Sequence, residues 1–263
     1  MKSIGSAVRY EFTKLFSRRV WWIVVWLVLI IQPVLALVSI GEVLQYGLDA
    51  TPEQYPELAS AFPSVEYLGI DIMGFGQFAI IILGAILGAS EYRDHELRTT
   101  QLCINKRSVV FSAKLLTVIT SSFFLSFVAA YLTVAISHIG LGDLGLNPIT
   151  LSAITWQYIG YAILNWVLLT VLSFGFGMLC RNAIIPLIFF IPQLYGLGII
   201  LATKWKWGEY LPVAAGNQLI AIPPTNIITH DPLKGGLTLA FWASAVLLIT
   251  YCLFVRSDVG GTY

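Results

Sequence analysis

Three short patterns in this 263-residue chain could support chemistry, and each lacks a part. His95-Glu96 begins an HExxH zinc motif, whose second His would lie one helical turn on, but position 99 is Thr. Gly140-Leu141-Gly142-Asp143 spells GxGD, a motif of aspartyl proteolysis within a membrane. That reaction needs two carboxylates, one ionised to activate water and one holding the proton. Asp71, at the edge of an apolar run, is the candidate partner. Residues 140–148 also read as an ordinary Gly/Asn/Pro turn. Neither the phosphate-cradling GxxxxGK[ST] nor GxSxG occurs. Cys103, Cys180 and Cys252 are too scattered for a disulfide framework or a CxxC metal site. The sequence therefore predicts no catalytic residue, no metal ligand and no cofactor bound by this chain.

The elements that carry these residues follow from where the apolar residues fall. Hydrophobic residues make up 57% of the chain and charged ones 11%, against about 25% charged in soluble domains. A soluble domain is excluded. A helix crossing a core about 30 Å thick needs about 20 mainly apolar residues, and six stretches meet that length: 20–40, 72–89, 115–139, 154–179, 183–202 and 235–255. In lipid every backbone group must be satisfied internally, which long apolar helices achieve, and the alternating strands of a barrel are absent. The expected fold is an all-α polytopic membrane protein, a single domain over 1–263 with six transmembrane helices. The first span is longer than the leader's apolar region of about 7–15 residues, so we expect it to be retained. The net charge of +1 excludes the broad basic face that a nucleic-acid partner requires.

Charge placement orients the bundle. Twelve Lys and Arg fall on one side: Lys2, Arg9, Lys14, Arg18, Arg19, Arg93, Arg98, Lys106, Arg107, Lys114, Arg181 and Arg256. Only Lys204, Lys206 and Lys234 fall on the other, where residues 41–71 carry six acids and no base. Cytoplasmic loops hold the excess of Lys and Arg, so both termini are expected in the cytoplasm and the acidic loop outside. Trp21 and Trp22 on one side, and Trp205, Trp207 and Tyr210 on the other, suit the two interfacial belts.

Within that frame, residues 1–19 read as a basic amphipathic helix in the inner interface, with Ile4, Val8, Phe12, Leu15 and Phe16 at helical spacing. Gln32-Pro33 predicts a kink in the first span with a polar group beside it. Gly84 and Gly88 form a GxxxG that lets another helix approach closely. The span interiors hold no clear Asp, Glu, Lys or Arg, and Lys114 lies near an end, from which it can snorkel inward. Ion-coupled carriers need intramembrane ionisable groups, so that class is disfavoured. The interior polar groups are Gln32, Gln77, Asn165 and Gln193. Residues 91–107, EYRDHELRTTQLCINKR, mix both signs densely on the cytoplasmic side and read as a docking surface. The fifth span carries Pro186, Pro192, Gly196 and Gly198 and should be broken. Residues 203–234 are external, with a short helix over 211–222 lying in or dipping into the outer leaflet.

The stretch SEYRDHELRTTQLCINKRSVVFSAKLL at 90–116, with the amphipathic start and six spans, resembles the permease subunits of ABC-2 type exporters, grouped with type V ABC transporters. Its Glu-Tyr-Arg, Leu-Arg-Thr-Thr and Lys-Leu elements carry most of the likeness. LPVAAGNQLI at 211–220 resembles the family's segment before the last helix, while His95 stands where the family has a small residue.

That resemblance implies a plasma-membrane, bacterial export subunit that pairs with a second copy of itself and with a separate ABC ATPase, which would bind the ATP and Mg. It implies an elbow helix at 1–19 and a coupling segment at 91–107. Tyr92, Arg93, His95, Leu97 and Arg98 would touch the ATPase and Glu91 would organise the segment. Spans one, two and five would line the path, making Gln32, Phe75, Gln77, Phe78 and Phe189 its candidate residues. The cargo would be a drug-like, peptide or lipid-like molecule, and membrane lipid a further partner. Two alternatives stand beside it: the permease of a polysaccharide exporter, and an intramembrane aspartyl protease using Asp143.

Overall fold

The computed structural model describes residues 4–58, 60–92, 100, 106–205, 207–222 and 231–256, and no strand occurs among them. In chain order the helices are α1 (Ile4–Ser17), α2 (Arg19–Tyr46), α3 (Met73–Ala89), α4 (Arg107–Gly140), α5 (Ala153–Cys180), α6 (Ile184–Pro192), α7 (Gly198–Lys204), α8 (Pro212–Ile220) and α9 (Pro232–Arg256). Of these, α2, α3 with its closing turn Ser90–Tyr92, α4, α5 and α9 are long and apolar enough to cross a membrane.

The predicted fifth span is the exception. Residues 183–202 fall on α6, a widened turn at Gln193–Leu197, and α7. Pro192 contributes no backbone donor there, and Tyr195 (φ −88, ψ 37) and Gly196 (φ 98, ψ −18) leave helical geometry. A φ of that sign is open to glycine and strained for most other residues. The kink expected in the first span takes a related form. Helix α2 widens at Leu27–Ile31, directly before Gln32-Pro33, and a widened turn makes room for a ring that would strike the carbonyl four residues back.

Helix α5 is the hub, packed by α3, α4, α8 and α9. Its closest neighbour is α3, and the predicted GxxxG is the reason. A Cβ at Gly84 would run into the Thr170 carbonyl oxygen of α5, and one at Gly88 into that of Phe174. Gly177 returns the contact against the backbone of Ala85 and Ala89, so small residues on both helices bring the backbones together. Ser173 Oγ then donates to the Ile81 carbonyl across the seam at 2.7 Å. Trp166 and Phe174 of α5 and Phe190 of α6 are the largest fully buried side chains. On the outside, α2 exposes Trp22, Trp26, Val34 and Val38, and α9 exposes Leu237, Phe241 and Leu248. Such continuous apolar surface is a liability in water and needs no cover in lipid, whose tails are as apolar as Leu.

The short helix expected over 211–222 is α8, and it is packed into the bundle. Val213, Ala214, Ala215, Gly216, Gln218 and Leu219 are buried, and the helix is packed against α5 and α9. Gly216 is required there because a Cβ would meet the Asn165 side chain of α5.

Candidate functional site

At the Lys/Arg-rich end of the bundle four charged side chains from three elements meet away from solvent. Helix α1 turns Ala7, Glu11 and Leu15 inward, one residue per turn along one stripe, while Ile4 and Phe16 are exposed. The protein-facing stripe therefore contains a carboxylate, and much of the apolar stripe faces outward. Helix α3 ends in the turn Ser90–Tyr92, which buries Glu91 completely. From the second turn of α4, Lys114 Nζ reaches Glu91 Oε1 at 2.8 Å and Glu11 Oε2 at 3.1 Å. Lys14 of α1 bonds the same Glu91 oxygen. The order Glu11, Lys114, Glu91, Lys14 alternates in sign and sums to zero. A buried ion pair is sustained only when partners and hydrogen bonds offset the loss of water, and the alternation provides that. Lys114 thus turns into the protein and pairs there, instead of snorkelling to the interface.

Glu91 and Tyr92 face different neighbours. Glu91 holds α1 and α4, whereas Tyr92 is half-buried beneath the guanidinium of Arg181, which lies 5.2 Å from its ring centre at the end of α5. Arg93, His95, Leu97 and Arg98 lie outside the described residues.

The five residues expected along a path divide into two sets. Gln32 and Gln77 are fully buried; Gln32 Nε2 donates to Thr133 Oγ1 of α4 at 2.8 Å and Gln77 Nε2 to Asn217 Oδ1 of α8 at 3.5 Å. Gly76, between them, leaves room for the Trp166 ring and the Gln32 amide, both of which a Cβ would strike. Phe75, Phe78 and Phe189 are less buried. Phe75 borders an open surface groove of about 410 Å3 together with Ser39, Glu42 and Asp71. Phe78 meets the Tyr195 ring at the break, and Phe189 stacks on Phe176. Interior Gln193 donates to the Phe189 carbonyl of its own helix at 2.9 Å.

Asp71, the candidate partner for Asp143, accepts from Ser39 at 3.5 Å. Its side chain reaches solvent, and crowding by protein atoms pushes its carboxyl above the usual carboxylate range, opposed by backbone N–H groups and the Ser39 hydroxyl. Asp143 is exposed in the turn Gly142–Leu144. No hydrogen bond joins the two carboxyls among the described residues.

Of the four network residues only Glu91 is a site residue in the sequence; Lys14 and Lys114 enter there only as orienting charges, and Glu11 does not enter at all. Its signal is positional: a carboxylate four residues from both Ala7 and Leu15, on one helix face. Compared with known proteins, residues 7–196 match the family described as ABC-2 family transporter protein. No curated protein and no solved structure matches the chain.

Proposed function

The chain belongs to the ABC-2 family of transporter proteins, and from that premise we propose that it is the permease subunit of an ATP-driven exporter. Two copies would form the membrane unit, each docking a separate ABC ATPase that binds and hydrolyses the nucleotide. Docking would use the segment 91–107, with Tyr92, Arg93, His95, Leu97 and Arg98 as contacts and Glu91 as organiser, together with the elbow helix α1. Both termini would be cytoplasmic, α6 and α7 would make the fifth crossing, and a drug-like, peptide or lipid-like cargo would leave the cell. The path would follow the face bearing Phe75, Phe78 and Phe189, with Gln32 and Gln77 pinning the helices behind it.

The observation that carries this reading is the buried ion network. Glu91 stands at the entrance to the docking segment and is tied to α1 and α4 through Lys14 and Lys114. A push on the segment therefore moves the ends of three helices as one block, which is what a separate motor needs.

The test is to express the chain with an ABC ATPase encoded alongside it and to follow co-purification, ATPase activity in nanodiscs, and efflux. The expected result is a stable complex whose ATPase and efflux fall at least tenfold in Arg98→Glu, the scale of one lost charge-assisted contact. Absence of any co-purifying ATPase, with efflux unchanged in Arg98→Glu, would defeat the docking assignment. Unchanged efflux in Asp143→Ala is also expected and removes the protease alternative.

A further inference from the structure

A second basic site lies at the same end of the bundle and is lined by residues other than the four of the ion network. Where α3, α5 and α9 end, a cavity of about 350 Å3 is bounded by Tyr92, Met178, Arg181, Leu253, Phe254 and Arg256. Met178 and Phe254 form a buried apolar floor, and Leu253 is 54% exposed, so the cavity opens on the outer face of α9. Arg181 and Arg256 stand exposed at its rim, and neither has a carboxylate partner among the described residues. Arg107 Nη1 donates to the Phe254 carbonyl at 3.5 Å and so ties the end of α9 to the start of α4.

The backbone at Arg181 adds a second observation. Arg181 is the only described non-glycine residue with a positive φ, at 53°, in the position after a helix end where glycine is usual. An L side chain pays for that conformation, and strain of this kind persists where the side chain is needed. Here it sets the guanidinium over the Tyr92 ring, at the edge of the cavity.

We infer that this cavity binds an anionic phospholipid, its phosphodiester held by Arg181 and Arg256 and an acyl chain lying along Met178, Leu253 and Phe254. Each part of the ligand answers a feature of the site. Guanidinium groups match phosphate oxygens in planar, bidentate fashion, and basic pockets between helices on the cytoplasmic side suit anionic headgroups. A zwitterionic lipid offers the same phosphodiester but brings its own cation beside the two guanidinium groups, and a free anion would leave the apolar floor wet. The inference rests on the chain lying in a membrane and not on what it exports.

The test uses the detergent-purified full-length chain titrated with phosphatidylglycerol and with phosphatidylcholine of the same acyl chains, bound lipid being counted by native mass spectrometry. The wild type should prefer phosphatidylglycerol. With each basic residue contributing roughly fivefold, Arg181→Gly/Arg256→Gln should lower phosphatidylglycerol affinity about thirtyfold and phosphatidylcholine affinity much less, so that the preference between the two lipids is lost. Arg181→Gly relieves the positive φ, so its thermal midpoint should hold or rise while its phosphatidylglycerol affinity falls. If the double variant fails to fold, Arg256→Gln alone should show the fivefold loss. Inorganic phosphate at equal concentration should displace little lipid, because it has no chain to cover the floor.

Three outcomes overturn the inference: a phosphatidylglycerol preference that survives the double substitution, full displacement by inorganic phosphate, or an unchanged lipid preference accompanied by loss of a co-purifying ATPase, which would make the cavity a protein contact. Loss of lipid with the ATPase complex intact supports the lipid site and leaves the permease reading standing.

Discussion

Lys114 is the residue on which the ion network turns, because it bridges two carboxylates. Lys114→Met leaves Glu11 buried without a partner, and an uncompensated buried charge costs about 3–5 kcal/mol. The double variant Glu11→Leu/Lys114→Met removes both charges and keeps the Lys14–Glu91 pair, so it should recover most of that loss. Thermal unfolding of the detergent-solubilised protein checks the order: wild type and double variant close together, single variant well below. If the single and double variants unfold alike, Glu11 and Lys114 are not coupled. Glu91 is legible in the sequence because it opens the densest charged stretch. Glu11 is not, because its partner is 103 positions away and its helix looks amphipathic on another face. A pattern along one helix shows which residues share a stripe; which stripe meets protein and which meets lipid depends on neighbours the pattern does not contain.

Helices α3 and α5 can be tested through their glycines. At Gly88 a Cβ would collide with the Phe174 carbonyl, whereas at Gly160, on the exposed side of α5, it would meet nothing within 4 Å. Gly88→Ala should therefore destabilise by about 1–3 kcal/mol through overpacking. Gly160→Ala should stabilise by roughly 0.5–1 kcal/mol through helix propensity. Opposite shifts of the unfolding midpoint are the expected readout, and a Gly88→Ala variant as stable as wild type would contradict the close approach. Gly196 tests a different cause. Its space is open but its φ is 98°, so Gly196→Ala should cost about 1–2 kcal/mol through the backbone alone. The long spans are legible because run length and hydropathy decide them locally, and the GxxxG because small residues declare a close contact. That a break falls in 183–202 is legible from its prolines and glycines, but its place at Tyr195 and Gly196 is not. Phe78 of α3, whose ring meets that of Tyr195 there, lies far away in the sequence.

For the whole molecule the number of crossings decides on which side the C-terminus lies. The ends of α3, α5 and α9 share one cavity, and Lys14 of α1 bonds Glu91 beside it. Helix α5 therefore ends, and α9 finishes, at the end of the bundle that holds α1. Helix α9 runs 25 residues, about 37 Å, so it starts at the far end. The chain between them has to traverse the bundle once, and 184–204 is the segment available. Its 21 residues would span about 31 Å if fully helical, close to a bilayer core of about 30 Å. This agrees with the proposed six crossings and cytoplasmic termini, and with the twelve-to-three bias in Lys and Arg. In a background lacking Cys103, Cys180 and Cys252, single cysteines report the sidedness to a membrane-impermeant maleimide. Glu57→Cys and Asn147→Cys should label in intact cells; Ser17→Cys and Asp258→Cys should label only after permeabilisation. Labelling of Asp258→Cys from outside would mean five crossings, with α6 and α7 folded back on the side they start from. It would also part Arg256 from Arg181, on which the shared cavity depends.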